Sequence, residues 1–187
     1  MNDMGKNKYS HSFEIALSAI SCAVAVVVLL VGFWSDILLA SGYLLAMVAL
    51  MVPLSKQFYR GGALAYLGTV ILAIVMGAAA RFWDLVPFIM FFGLHPLANS
   101  LQLKFNINRW IAFAVKAVWF DLTVLVAYLL IFGGVLGGAE GSAFYEFVKR
   151  YIYLIIFVGG TAFFYPYDYL MFKMQITVNK LVYRIRK

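Results

Sequence analysis

Charged side chains are scarce in this sequence. Only 12% of its 187 residues are Asp, Glu, Lys or Arg, whereas 65% are hydrophobic. Ordinary soluble domains are about half apolar and about a quarter charged, so a soluble chain of this length could not bury so much apolar surface. The composition therefore excludes an ordinary soluble domain and predicts that lipid surrounds most of the chain.

Residues that carry chemistry are also few. Cys22 is the only cysteine, which excludes an intramolecular disulfide and a thiolate–metal cluster. The only histidines are His11 and His95, and the sequence has no HExxH helix, glycine-rich phosphate loop or Ser–His–Asp order. We therefore expect no enzyme, no metal site and no cofactor. Any use of ATP would require a partner chain.

Long apolar runs dominate what is present. A membrane helix needs about 20 apolar residues, and six runs meet that length: 13–34, 37–54, 61–80, 85–103, 108–136 and 144–172. The first two runs are separated only by Trp34-Ser35-Asp36, which we interpret as a tight hairpin. The sequence thus predicts an all-α integral membrane protein with a six-helix domain at 13–175. A polar tail at 1–12 and a basic amphipathic tail at 176–187 flank this domain.

The distribution of Lys and Arg predicts the orientation, because short cytoplasmic loops are rich in these residues. If the N-terminus is cytoplasmic, twelve of the fifteen basic residues lie on the cytoplasmic side. Only Arg81, Lys149 and Arg150 then lie outside. Both termini are therefore expected in the cytoplasm. The net charge of +7 is explained by topology and gives no indication of nucleic-acid binding.

Aromatic and charged residues meet in the predicted outer segments. Small-ligand pockets are mainly apolar and aromatic, with a few fixed polar groups. The outer segments match that description, although an aromatic belt with charged caps would look the same. The candidate ligand-binding residues at this face are Trp34, Arg81, Trp83, Asp84, Tyr145 and Glu146.

Three ionisable residues stand out inside predicted spans, where such groups are costly and often functional. His95 and Lys116 fall at similar depth, about 12 Å from the inner boundary at 1.5 Å per residue, and form a candidate buried polar pair. Its expected role is structural, with proton or ligand binding as the alternative. Asp121 lies near the middle of the bilayer and is a further candidate for ligand or proton binding. Asp168, among tyrosines, is expected at the cytoplasmic boundary.

Small residues line one face of the first predicted helix. Ala16, Ala19 and Ala23 share this face, and Ala19 and Ala23 form a small-xxx-small pair. Small residues let helix backbones approach closely in lipid. The face could pack within the bundle or dock a partner protein. The basic tail could bind anionic lipid or simply anchor the last helix.

Taken together, the six runs, the cytoplasmic ends and the Ala19–Ala23 pair resemble the substrate-binding S component of energy-coupling factor (ECF) transporters. The resemblance implies a bacterial cytoplasmic membrane protein that captures a vitamin-like or other small metabolite at its outer face. It also implies docking through Ala16, Ala19 and Ala23 on a transmembrane coupling protein that two ATPase subunits drive.

A similar topology occurs in rod-shape-determining membrane scaffolds of the MreD type, which bind partner proteins and transport nothing. A scaffold would need no ligand, and its functional surface would be helix faces and the basic tail. The choice between the two therefore depends on whether the outer face forms a pocket.

Overall fold

The computed structural model describes residues 11–131 and 143–184, and every regular element within them is helical. The ends of both tails and residues 132–142, around the boundary between the fifth and sixth predicted spans, lie outside these residues. The α-helices, in chain order, are α1 (His11–Phe33), α2 (Asp36–Ser55), α3 (Tyr59–Val75), α4 (Phe82–Pro87), α5 (His95–Lys104), α6 (Arg109–Ile131), α7 (Ala143–Leu154) and α8 (Gly160–Arg184).

Four of the described helices are long and apolar enough to cross a membrane. They are His11–Phe33, Ile37–Ser55, Arg109–Leu130 and the continuous stretch Arg150–Arg184. These lengths support a membrane-embedded protein. α8 continues through residue 176, where a separate tail was predicted, as far as Arg184.

The predicted hairpin between the first two spans is confirmed, because α1 ends at Phe33 and α2 begins at Asp36. Two glycines bring these helices together. A Cβ atom built on Gly32 would lie 2.9 Å from the Cα of Gly42, so only glycine fits at this crossing. The backbones of α1 and α2 are therefore in direct contact.

The third and fourth predicted spans differ most from expectation. α3 has 17 residues and ends at Val75, five residues before the predicted boundary. Gly77 then adopts a φ of 124°, a conformation that L side chains rarely adopt, and begins a short 3-10 turn. The fourth predicted span is not one helix, because a π-helical segment (Phe88–Phe92) and a turn separate α4 from α5.

Basic residues from distant parts of the chain meet at one end of the bundle. Lys56 donates a hydrogen bond of 3.0 Å to the carbonyl of Val182, near the end of α8. Lys104 lies over the ring of Tyr59, at the start of α3. We call this the Arg109 end, after the first residue of α6, and the opposite end the Arg81 end.

Three hydrophobic cores fill the described part of the bundle. One joins α1, α2 and α3 around residues such as Leu29, Ala46 and Ala65. A smaller one joins α2 and α8 around Met47 and Met171. The third is aromatic and joins α6 and α8 around Phe91, with Phe120 and Phe164 packed edge-on against it. The buried polar residues described below lie beside this aromatic core.

Candidate functional site

A cleft opens at the Arg81 end, between the last turns of α1 and the segment from Met76 to Arg81 that follows α3. Its volume is about 510 Å³, within the range of small-ligand sites, which is roughly 300–1,000 Å³. Trp34 stands at its rim with 89% of its surface exposed. The lining is apolar apart from one charged side chain, and comprises Val27, Leu30, Val31, Phe33, Trp34, Met76, Gly77, Ala78, Ala80 and Arg81.

Arg81 is held by contacts within the chain. Its Nε donates to a carboxylate oxygen of Asp84 at 2.6 Å, and its Nη1 donates to the carbonyl of Phe33 at 2.7 Å. The second bond satisfies a carbonyl at the C-terminus of α1 that has no partner inside its own helix. The Tyr43 hydroxyl donates to the Asp84 backbone carbonyl. Arg81 and Asp84 therefore form an ion pair with a structural role, and this pair shapes one wall of the cleft.

The remaining predicted ligand-binding residues do not line this cleft. Trp83 is half-exposed and packs edge-on against Phe82. Glu146 lines a separate depression with Phe147, Arg150 and Tyr151. The side chain of Tyr145 lies outside the described residues. Of the predicted set, Trp34 and Arg81 are thus the two that the structure brings to one cavity.

The predicted docking face on α1 is open. Ala16, Ala19 and Ala23 are all exposed, whereas the opposite face of α1 packs on α2. Ala19 also borders an apolar groove of about 430 Å³ between α1 and α3. Within the described chain these alanines therefore do not serve internal packing, which is the first of the two predicted roles for this face.

Lys116 lies at the centre of a buried polar cluster near the Arg109 end. Its ammonium group donates to Asn99 Oδ1 at 2.9 Å, to Gln102 Oε1 at 3.1 Å and to a carboxylate oxygen of Asp168. An ammonium has three N–H donors, so the three oxygens satisfy it completely. The cluster joins α5, α6 and α8.

His95 completes the polar cluster through the same carboxylate. Its Nε2 lies 3.2 Å from Asp168 Oδ1, and its Nδ1 lies 3.5 Å from the amide nitrogen of Asn99. The imidazole therefore fits the tautomer that donates from Nε2 and accepts at Nδ1. With this neutral histidine the positive charge of Lys116 and the negative charge of Asp168 balance.

The structure corrects the predicted position of Asp168 and shows how His95 and Lys116 are connected. Asp168 is not at an exposed boundary, since it is buried at the centre of the cluster. His95 and Lys116 are joined through Asp168 and Asn99. The sequence signal that could have found the cluster is the spacing of His95, Asn99 and Gln102, which places three polar side chains on one helix face.

Asp121 lies apart from both the cleft and the polar cluster. It is 3% exposed and faces the first turn of α8, where the Thr161 hydroxyl donates to its Oδ2 at 2.7 Å. Among the described residues, no donor reaches its Oδ1. The structure therefore does not place Asp121 with the outer candidate ligand residues.

No group of three or more His, Cys, Asp or Glu side chains suited to a metal occurs within the described residues. No protein-family model, curated protein or solved structure matches this chain.

Proposed function

We propose that this protein is the substrate-binding subunit of an importer of the ECF type, with the cleft at the Arg81 end as its ligand site. The observation that carries the proposal is the cleft itself, which has the volume of a small-metabolite site and an exposed indole at its rim. The proposal includes six spans in a bacterial cytoplasmic membrane, cytoplasmic termini and an outward-facing cleft. The clustering of Lys56, Lys104 and Arg109 at the other end supports this orientation.

The chemistry of the cleft indicates the class of ligand. The one charged group that the described residues contribute to its lining, Arg81, is already bonded to Asp84 and to the Phe33 carbonyl. An anionic ligand would compete with the Asp84 carboxylate for the positive charge of Arg81, whereas a ring-containing, largely uncharged metabolite could stack on Trp34 and leave the ion pair undisturbed. We therefore expect a ligand with a flat apolar ring, of the size of a small vitamin.

Replacing Trp34 by alanine is expected to weaken binding of the co-purified metabolite about tenfold or more, because the indole supplies the main exposed contact surface of the cleft. The measurement is native mass spectrometry of the protein in detergent, followed by titration of the released metabolite. Trp110→Ala is the matched control, since Trp110 is 69% exposed on α6 but lies at the other end of the bundle. Equal ligand occupancy in the two variants would contradict the proposed site.

The exposed alanine face supports the second half of the proposal, docking on a membrane coupling protein. We expect Ala19→Leu to abolish co-purification of an ATPase-bearing complex, because the larger side chain keeps the partner helix at a distance. Val24→Leu is the control, since Val24 is also exposed on α1 but lies outside both the cleft lining and the alanine face. Retention of the complex by Ala19→Leu would show that docking occurs elsewhere.

One observation favours the scaffold of the MreD type as a second candidate. The polar groups that the sequence offered as ligand contacts, Arg81 and Asp84, bond to each other. A scaffold predicts an empty cleft together with specific capture of membrane partners. An empty wild-type protein that captures partners without an ATPase would therefore favour this second function.

A further inference from the structure

A small cavity lies between the start of α6 and the first half of α8, at the Arg109 end. Its volume is about 190 Å³. On each helix two of its lining residues are four positions apart, a spacing that places side chains on one helix face. The lining comprises Arg109, Trp110 and Phe113 on α6, and Tyr165, Asp168 and Tyr169 on α8.

Two positive charges lie beside this cavity without a carboxylate partner. The Arg109 guanidinium is 5.0 Å from the centre of the Tyr169 ring, and the Lys173 ammonium is 4.5 Å from the centre of the same ring. Neither cation forms an ion pair with a carboxylate of the described residues. Two like charges so close together repel each other, and an anion between them would offset that repulsion. The cavity therefore favours a negatively charged group at this edge.

Asp168 provides a hydrogen-bond acceptor in the wall of the same cavity. Lys116 and His95 both bond to its Oδ1. Its Oδ2 receives no hydrogen bond from the described residues, although 7% of the side chain is still exposed. An ionised carboxylate accepts hydrogen bonds and cannot donate them. A ligand that fits this cavity must therefore bring a donor to Asp168 as well as an anion to Arg109.

The charges around Asp168 favour a hydroxyl group as that donor. The negative charge of Asp168 is already balanced by Lys116. An ammonium group on the ligand would add another positive charge beside Arg109 and Lys173, whereas a hydroxyl group donates without adding charge. The ligand therefore combines an anionic group with a nearby hydroxyl group.

The exposed rings at the cavity indicate that this ligand is a lipid. Trp110 is 69% exposed and Tyr165 is 54% exposed. Trp and Tyr favour the interface between lipid and water, where one part of the ring system is apolar and the other is hydrated. Arg109 is also the first residue of a helix that is long and apolar enough to cross a membrane, and the ends of such helices lie near the lipid headgroups.

We propose that this cavity binds the headgroup of an anionic phospholipid that carries hydroxyl groups, as phosphatidylglycerol does. The lipid phosphate lies between Arg109 and Lys173, where its bonds to both cations are charge-assisted. A headgroup hydroxyl donates to Asp168 Oδ2, and the lipid glycerol backbone rests on Trp110 and Tyr165.

This lipid site is distinct from the other surfaces of the protein. It precedes residue 176, so it is not the lipid contact predicted for the basic tail. It also shares no lining residue with the cleft beside Trp34. Its test therefore does not depend on the proposed transport function.

Native mass spectrometry of the full chain in detergent, titrated with defined lipids, tests the proposal. Phosphatidylethanol is the matched lipid, because it has the same phosphodiester charge but no hydroxyl group on its headgroup. We expect phosphatidylglycerol to bind about tenfold more tightly than phosphatidylethanol, since a hydrogen bond to a charged group distinguishes the two. Phosphatidylethanolamine, which carries an ammonium group, should also bind less tightly than phosphatidylglycerol.

Arg109→Gln and Lys173→Gln should each weaken the binding of phosphatidylglycerol about tenfold, because each removes a charge-assisted bond to the phosphate. Arg60→Gln is the matched control, since Arg60 is exposed on α3 and lies outside this cavity. Lys180→Gln removes a charge of the predicted basic tail in the same way. Both controls should leave the affinity nearly unchanged. The four replaced side chains are exposed, so all four variants should fold.

Three results would each contradict the proposal. Equal affinities for phosphatidylglycerol and phosphatidylethanol would exclude the hydroxyl contact with Asp168. Equal losses in Arg109→Gln and Arg60→Gln would show general attraction between a basic protein and anionic lipid instead of a site. Displacement of phosphatidylglycerol by an equal concentration of soluble glycerol phosphate would identify a soluble phosphate ester, and not a lipid, as the occupant.

Discussion

Lys116→Met is expected to destabilise the protein by about 3–5 kcal/mol, as the removal of one partner from a buried ion pair typically does. The substitution leaves the Asp168 carboxylate buried without its counter-charge. It also leaves Asn99 Oδ1 and Gln102 Oε1 without the donor that they share. Unfolding in mixed micelles of increasing denaturing-detergent content, followed by circular dichroism, measures the loss.

Lys180→Met serves as the control because Lys180 is an exposed lysine on α8. Its removal should change the free energy of unfolding by no more than about 0.5 kcal/mol. The double variant Lys116→Met/Asp168→Asn removes both charges and should recover part of the loss. If Lys116→Met is no less stable than Lys180→Met, the described cluster does not hold the three helices together.

Gly42→Leu is expected to destabilise the α1–α2 hairpin by about 3 kcal/mol, toward the upper end of the range for overpacking. A Cβ atom on Gly42 would lie 2.8 Å from the Cα of Gly32. The obstacle is backbone, which cannot rotate away as a side chain can, so the two helices must move apart. The same unfolding measurement applies.

Gly159→Leu is the matched substitution, because a Cβ atom there meets only Ile155 Cγ2, at 4.0 Å, an ordinary contact distance. Glycine is also a poor helix former relative to leucine, by several tenths of a kcal/mol. Gly159→Leu should therefore be neutral or slightly stabilising. Equal losses in the two variants would show that the crossing of α1 and α2 is not a close backbone contact.

The sequence predicts the elements of this bundle better than the contacts between them. The apolar runs predict the bounds of α1, α2 and α6 closely, because the length and hydropathy of a segment depend only on its own residues. The fourth predicted span is an exception. Its Pro87, Gly93 and Pro96 allow the chain to break between α4 and α5, while its hydropathy alone suggests continuity.

The polar cluster could be predicted only in part. The depth of His95 and Lys116 follows from counting residues, and the structure joins these two residues through their neighbours. Asp168 was expected at the boundary because tyrosines surround it, and tyrosine favours membrane interfaces. Its real position depends on how α8 rotates against α5 and α6, which no single segment determines. The contacts of Asp121 with Thr161 and Gly160 could not be predicted from the sequence for the same reason.

The polar cluster also constrains how the bundle can change shape. Lys116 belongs to α6 and donates to two oxygens on α5 and one on α8. Sliding of any of these helices would break these bonds and leave a charged group unpaired in the interior. Around Lys116 the three helices therefore act as one rigid body. α1 and α3 pack on α2 mainly through apolar contacts, which can shift at little electrostatic cost. A motion that opens the cleft beside Trp34 should therefore move α1 and α3 while α5, α6 and α8 stay in place.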